Sequence, residues 1–170
     1  MKVIDDFYSE QSFNRIVEMF EAPITGWTLS QGITKSEDLN VSLDNYYFVH
    51  TVYKDLCPRS GWFEELIDVI QNPLYELLDL NMGVLTRIKC NLYPRTAVIN
   101  KHPWHVDSVN KKQHGALLMI NTCDGYTGFK DGTKVESVAN RLVLFDAEKE
   151  HHSTSTTNAS YRMTMNINYV

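Results

Sequence analysis

Apolar and polar positions repeat with two different periods along the chain, and the change comes near residue 85. From Ser9 to Glu21 the residues Phe13, Ile16, Val17 and Phe20 fall on one stripe at helical spacing. Ser9 is placed to cap that helix and Pro23 to stop it. Trp27 to Thr34 reads as a strand and the polar stretch Lys35 to Asn45 as a loop. A second helical run starts near Ser60, continues through Trp62-Phe-Glu-Glu-Leu-Ile-Asp-Val-Ile, and resumes after Pro73 as Leu74 to Leu80, with Pro73 expected to kink or divide it. Beyond Leu85 the chain turns to short runs between turn residues: Leu85–Tyr93, a short strand containing Val106, Ala116–Asn121, Thr127–Phe129, Thr133–Ser137, Arg141–Phe145, His151–Thr154 and Tyr161–Tyr169. Gly125-Tyr-Thr-Gly128 and Asp131-Gly132 read as turns whose glycines need positive φ. Helices followed by many short strands predict an α+β fold, mainly β, in which N-terminal helices buttress a sandwich.

The last run is the most informative. Met163, Met165, Ile167 and Tyr169 share one face, while Arg162, Thr164, Asn166 and Asn168 share the other. The apolar face is expected to meet the helices, which turns Arg162 toward the sandwich interior. A cation there is costly unless an anion neutralises it, so the interior expects an anionic ligand. The Leu85 run behaves alike, with Arg87, Lys89, Asn91 and Tyr93 opposite Ile88, Cys90 and Leu92. For Arg87 and Lys89, cavity lining and solvation at a strand edge are both open.

A length of 170 residues predicts one domain, 1–170, with supporting helices and outer strands over 1–84 and the β core over 85–170. Hydrophobic content of 43% and charged content of 22% exclude collagen-like, coiled-coil and disordered classes. The net charge of −5 argues against a nucleic-acid partner, which would require a basic track for phosphates. Cys57, Cys90 and Cys123 fit neither a disulfide framework nor a cysteine zinc site, and suggest a reducing, cytoplasmic setting. The acidic start of the chain and the lack of any long apolar run predict no signal peptide and no membrane partner.

His105-Val-Asp107 carries the candidate chemistry. On an extended backbone an imidazole and a carboxylate two positions apart project to the same side and can share a metal. A later histidine completes a two-histidine, one-carboxylate set that leaves three octahedral positions open, which suits non-haem Fe(II) better than tetrahedral zinc. His151 and His152 both qualify by position, yet neighbours on a strand point to opposite faces, so only one serves. Other chemistry remains open for the same residues: a cupin-like isomerase or hydrolase with another metal, or a metal-free jelly-roll binding protein. His50, His102 and His114 read as structural or surface residues, and Trp104 as packing at a site rim. No serine-hydrolase elbow, P-loop, dinucleotide fingerprint or zincin motif occurs.

Taken together, "NLYPRT", "WHVDS", "GYTGF", "NRLVLFDAEKEHHSTSTT" and "YRMTMNINY" resemble the Fe(II)- and 2-oxoglutarate-dependent oxygenases, particularly their small prolyl-hydroxylase-like branch. The resemblance covers Leu85 to Val170. It implies a double-stranded β-helix, the jelly-roll or cupin-like fold, with iron held by His105, Asp107 and the histidine after the strand ending at Phe145. The family's spacing from Phe145 and Asp146 selects His151. By the same resemblance Arg162 would pair with the distal carboxylate of 2-oxoglutarate, and Tyr93 would reach that cosubstrate. The implied cofactors are Fe(II), 2-oxoglutarate and O2, with ascorbate in accessory use. The implied reaction couples decarboxylation of 2-oxoglutarate, to succinate and CO2, with hydroxylation of a second substrate, a prolyl residue in a peptide or a small molecule. One departure concerns the strand after the metal motif: Leu118 and Met119 stand where prolyl hydroxylases often have a tyrosine, so the cosubstrate's hydrogen bonds are expected to differ. Substrate recognition is expected from the loops Lys35–Asn45, Cys57–Gly61 and Pro94–Pro103.

Overall fold

The computed structural model describes residues 1–31, 46–77, 84–109 and 112–170. Helix α1 (Glu10–Glu21) starts where Ser9 turns its hydroxyl onto the Ser12 N–H at 3.2 Å, satisfying one of the donors that a helix start leaves free. It buries Ile16, Met19 and Phe20. Helix α2 (Phe63–Leu77) runs as one element through Pro73 and buries Leu66, Ile70 and Leu74. The expected division at Pro73 does not occur. Leu78–Leu80, the expected end of this helix, lies outside the described residues, as does the Lys35–Asn45 stretch.

Both helices lie on one face of a large antiparallel sheet. Its order is β1 (Lys2–Ile4), β9 (Leu142–Asp146), β6 (His114–Met119), β11 (Tyr161–Tyr169), β5 (Leu85–Pro94), β3 (Tyr46–Lys54) and β2 (Thr28–Gln31), with β4 (Cys57–Pro58) on β3. The helix-facing side is apolar, and Met163, Met165, Ile167, Ile88, Cys90 and Leu118 join Ile16, Phe20, Leu66, Ile70 and Leu74 in one core. A smaller sheet, β10 (His151–His152), β7 (Tyr126–Phe129) and β8 (Lys134–Glu136), covers part of the other side. Leu117, Met119, Val143 and Phe145 from the large sheet meet Phe129 and Val135 there. This is the expected jelly-roll sandwich buttressed by N-terminal helices.

Several local expectations change. Tyr46–Lys54 forms the long strand β3 and Lys2–Ile4 an edge strand, neither of which the sequence pattern signalled, and Cys57–Pro58 is paired to β3 within the expected Cys57–Gly61 loop. Val106 is not in a strand; the pairing is a single bridge between His105 and His151. Among the glycines in question only Gly132 has a positive φ, +89°. Gly125 and Gly128 are needed for close approach instead. A Cβ on Gly125 would lie 2.5 Å from the Arg162 Cδ and 2.6 Å from the Ser155 carbonyl oxygen, and one on Gly128 would lie 2.4 Å from the His152 ring.

Candidate functional site

Between the sheets, toward β5 and β11, the apolar packing gives way to a cavity of about 280 Å³. Its wall takes Arg87, Lys89, Asn91 and Tyr93 from β5, and Arg162, Thr164 and Asn166 from β11. Those are the polar faces read from alternation, and Arg87 and Lys89 line the cavity rather than a solvated edge. From β6 the cavity receives Leu117; Leu118 faces the helices and Met119 packs between the sheets.

His105, Asp107 and His151 meet in this cavity, with one candidate ligand atom from each lying within 4.8 Å of the others. Backbone bonds fix their approach. His105 and His151 exchange N–H···O bonds of 2.9 Å in both directions, and the Asp107 N–H donates to the Ala147 carbonyl at 2.9 Å. Each imidazole sets its Nδ1 against a carbonyl, His105 on Pro103 at 3.3 Å and His151 on Lys149 at 2.8 Å. A carbonyl only accepts, so both rings carry a proton on Nδ1, which leaves Nε2 as the nitrogen available to a metal. Burial, reinforced by the nearby His151, holds the His105 imidazole down at about 4, so it is neutral at physiological pH.

Asp107 is anchored on both oxygens. Arg87 donates to Oδ1 at 2.9 Å and Asn166 to Oδ2 at 2.8 Å, with Asn168 more distant at 3.5 Å. Burial alone would raise this carboxyl. Arg87, His151, the Asn166 hydrogen bond and His105 outweigh it and keep the group below its ordinary value, hence ionised. Two imidazoles and one ionised carboxylate form a donor set that suits a divalent transition metal. Asn166 and Asn168 were not anticipated as Asp107 partners, although their place on the Arg162 face was the available signal.

His152 points elsewhere. Its ring stands edge-on to Trp104 and Tyr126, with centroids 4.5 and 5.7 Å away, over the space that Gly128 leaves. Of the other histidines, His50 bonds the Gly26 carbonyl and the Ser60 hydroxyl, both at 2.8 Å, and His114 lies beside Asp146 at 3.2 Å. His102 is buried on the Ser153 hydroxyl and stacks on Tyr93 with centroids 5.0 Å apart.

Arg162 is fully buried. Its contacts are neutral: Thr127 Oγ1 at 2.9 Å, Ser137 Oγ at 3.3 Å, the Thr154 carbonyl at 3.4 Å and the Met119 sulfur at 3.6 Å, with the Tyr93 ring 5.6 Å from the guanidinium carbon. No carboxylate pairs with it among the described residues. Isolating a cation this way costs several kcal/mol unless a ligand compensates, and the site opens onto the same cavity as the His–Asp–His cluster. The buried side-chain oxygens of Asn91 and Asn166 also lack a partner there. An anionic ligand fits what Arg162 leaves unsatisfied and a divalent metal fits the His–Asp–His set, whereas the two asparagine oxygens, being acceptors, call for a donor. Burial raises the Tyr93 phenol to about 12, with Arg162 the largest opposing influence, so it stays a neutral hydroxyl in the same wall.

No family model matches this chain, and no curated protein matches its sequence. Solved structures do match. A prolyl hydroxylase from Trichoplax adhaerens, solved with a hypoxia-inducible-factor degradation-domain peptide fragment, aligns over 99% of this chain and 82% of its own at a TM-score of 0.67 and 14% identity. A 2OG-Fe(II) oxygenase family oxidoreductase from Burkholderia pseudomallei aligns over 98% and 83% at a TM-score of 0.68 and 9% identity. A viral collagen prolyl hydroxylase from Paramecium Bursaria Chlorella virus-1, in complex with 2OG, aligns over 99% and 94% at a TM-score of 0.60 and 12% identity. The chain has the fold of these oxygenases. Among the described residues no helix is long and apolar enough to cross a membrane.

Proposed function

We propose that the protein is a non-haem Fe(II) dioxygenase that couples decarboxylation of 2-oxoglutarate to hydroxylation of a second substrate. His105, Asp107 and His151 would hold the metal. Arg162 would hold the distal carboxylate of 2-oxoglutarate, with Tyr93 and Thr127 beside it. When bound, Fe(II) and 2-oxoglutarate supply the oxidising chemistry, in which O2 is consumed, 2-oxoglutarate yields succinate and CO2, and a substrate C–H becomes C–OH.

The chain's own contribution is positional. The carbonyls of Pro103 and Lys149 fix both imidazole tautomers, and Arg87 and Asn166 fix the rotamer of Asp107. Arg162 supplies a buried, preoriented cation in the cavity wall. The observation that carries the reading is the conjunction of an anion-free, buried Arg162 with the His–Asp–His cluster in one cavity. A cupin-like isomerase or hydrolase would need the cluster alone, and a metal-free jelly roll would need neither.

Anaerobic titration with Fe(II) and 2-oxoglutarate tests it, because the chelate gives a weak visible charge-transfer band. The band is expected in the wild type, is lost in Asp107→Ala, and requires far more 2-oxoglutarate in Arg162→Ala. Absence of the band in the wild type overturns the reading. Two of the similar structures named above are of prolyl hydroxylases, which makes a prolyl residue one candidate for the second substrate. The charge of the cavity favours a different class.

A further inference from the structure

Resting on that reading, the cavity still carries more positive charge than its proposed ligands neutralise. Among the described residues lining it, Arg87, Lys89 and Arg162 are basic and Asp107 alone is acidic. A divalent metal and a dianionic cosubstrate cancel one another, so the surplus is the same after loading as before. Arg87 is engaged by Asp107 at 2.9 Å, and Arg162 is assigned to the cosubstrate. Lys89 remains.

Lys89 is largely withdrawn from solvent, and among the described residues it makes no ion pair; its Nζ lies 5.9 Å from the centre of the Tyr47 ring. On the sheet it stands opposite Asn166, the residue that holds Asp107. A group bound to Lys89 therefore sits next to the metal-facing carboxylate. Burial lowers its ammonium to about 8, with Arg87 adding repulsion and Asp107 opposing, so it remains mainly charged at neutral pH.

A second cavity of about 600 Å³ lies against β2 and β3, and Lys89 and Tyr47 belong to the walls of both. Lys54 and Arg59 line this outer groove and no acidic residue does among those described, although both lie within 4.0 Å of Asp55 outside the lining, which leaves one basic charge in excess. Basic groups thus mark a route from the surface to Lys89. An ammonium drawn partly out of water with no anion beside it costs stability that a bound anion returns.

We infer that the second substrate is a small organic acid, entered through the β2–β3 groove, whose carboxylate or phosphate is bound by Lys89 while its reacting carbon lies beside the His–Asp–His cluster. The lysine acts as a compact, mobile point charge, which suits a single oxyanion in a wet mouth better than a bidentate fork would. A neutral prolyl residue within a peptide leaves this charge unmet.

The test uses Zn(II)-loaded protein saturated with 2-oxoglutarate, which binds ligands without turning over. A panel of small carboxylates and phosphates, each paired with its neutral amide or triester, is read by thermal shift and then by isothermal titration. Acids are expected to raise the melting temperature where their neutral partners do not, and the carboxylate and phosphate arms report which oxyanion is preferred. Lys89→Met should weaken the bound acids by at least about tenfold. It should keep 2-oxoglutarate affinity within about threefold, since Arg162 is a separate contact. Without ligand the variant should melt no lower than the wild type, an outcome that a purely structural lysine would not give. Lys89→Gln repeats the comparison if the methionine variant folds poorly. The proposal is overturned if no acid outperforms its neutral partner, if the acids bind the variant as they bind the wild type, or if they bind only by displacing 2-oxoglutarate. Failure of wild-type protein to bind 2-oxoglutarate would instead strike the underlying oxygenase reading.

Discussion

At the scale of single residues, the site is built from side chains whose protonation the fold has decided. His102 illustrates the consequence for stability. Burial, with Arg162 close by, lowers its imidazole to about 3, whereas in the unfolded chain it titrates near 6.5. Below pH 6.5 the unfolded chain therefore takes up a proton that the folded chain refuses. Stability is full above that pH and is lost as pH falls, at about 1.4 kcal/mol per pH unit for each such group. His105, lowered to about 4, and His152, also lowered, act in the same direction. Urea unfolding of the metal-free protein between pH 6.5 and 5, above the carboxylate range, should show this slope, and His102→Gln should remove about one proton's share of it. An unchanged slope in that variant would mean that His102 titrates normally. Asn140 makes a second residue-scale case. With φ at +62° it accepts from the Tyr8 N–H at 2.9 Å and donates to the Tyr8 carbonyl at 2.8 Å, tying the amino-terminal segment to the turn before β9. Asn140→Ala gives up both bonds and a residue suited to that conformation, and about 2–4 kcal/mol of stability should disappear in the same urea assay.

At the scale of elements, the least forgiving close approach lies just before β7, where the chain passes the Arg162 side chain. Gly125 leaves no room for a Cβ between the Arg162 side chain and the Ser155 carbonyl, and the latter is backbone that cannot swing aside. Gly125→Ala should therefore shift the guanidinium, cost about 1–3 kcal/mol in unfolding experiments, and weaken 2-oxoglutarate binding by about tenfold or more in calorimetry. Unaltered cosubstrate affinity would show that Arg162 tolerates the displacement. Legibility also differed by element. The inner face of β11 was readable because strict alternation over nine residues leaves only one way to bury Met163, Met165 and Ile167. Strand β3 was not readable, since Tyr46, Tyr47, Phe48 and Val49 are apolar on both faces and the register slips between Thr51 and Tyr53, where Val52 is inserted. Its β-branched and aromatic density was the remaining signal. Without β3, Tyr47 and the outer groove were invisible. The choice between His151 and His152 could not be made from parity because β10 is only two residues long and the ring placements depend on Gly128 and the Lys149 carbonyl. Arg87, read as an uncommitted cation, proved to be the Asp107 partner because the loop carrying Asp107 folds back across β5.

At the scale of the molecule, net charge and site charge have opposite signs. The chain carries −5 overall, while its cavity wall holds three basic groups against one acidic group and the adjoining groove adds Lys54 and Arg59, which share Asp55 as their partner. Two fields therefore act on an approaching dianion, one repulsive and spread over the surface, the other attractive and confined to the mouth. The Debye length decides between them. At about 0.01 M salt it is near 30 Å and the whole surface is felt, whereas at about 0.15 M it is near 8 Å and only charges close to the mouth count. The buried Arg162 contact is shielded from salt at either concentration. The association rate of 2-oxoglutarate with Zn(II)-loaded protein should thus rise modestly between these two conditions, as the surface repulsion is screened while the charges at the mouth still act, and then fall severalfold toward 1 M as the focused field collapses. The dissociation rate should stay nearly flat throughout. Stopped-flow measurement of both rates checks this directly. An association rate that keeps climbing up to 1 M would assign control to the acidic surface, and a dissociation rate that rises with salt would place the distal carboxylate in a solvent-exposed pair rather than on Arg162. Replacing Lys54 and Arg59 together by glutamine should flatten the high-salt fall while leaving the dissociation rate untouched, since neither side chain lines the inner cavity.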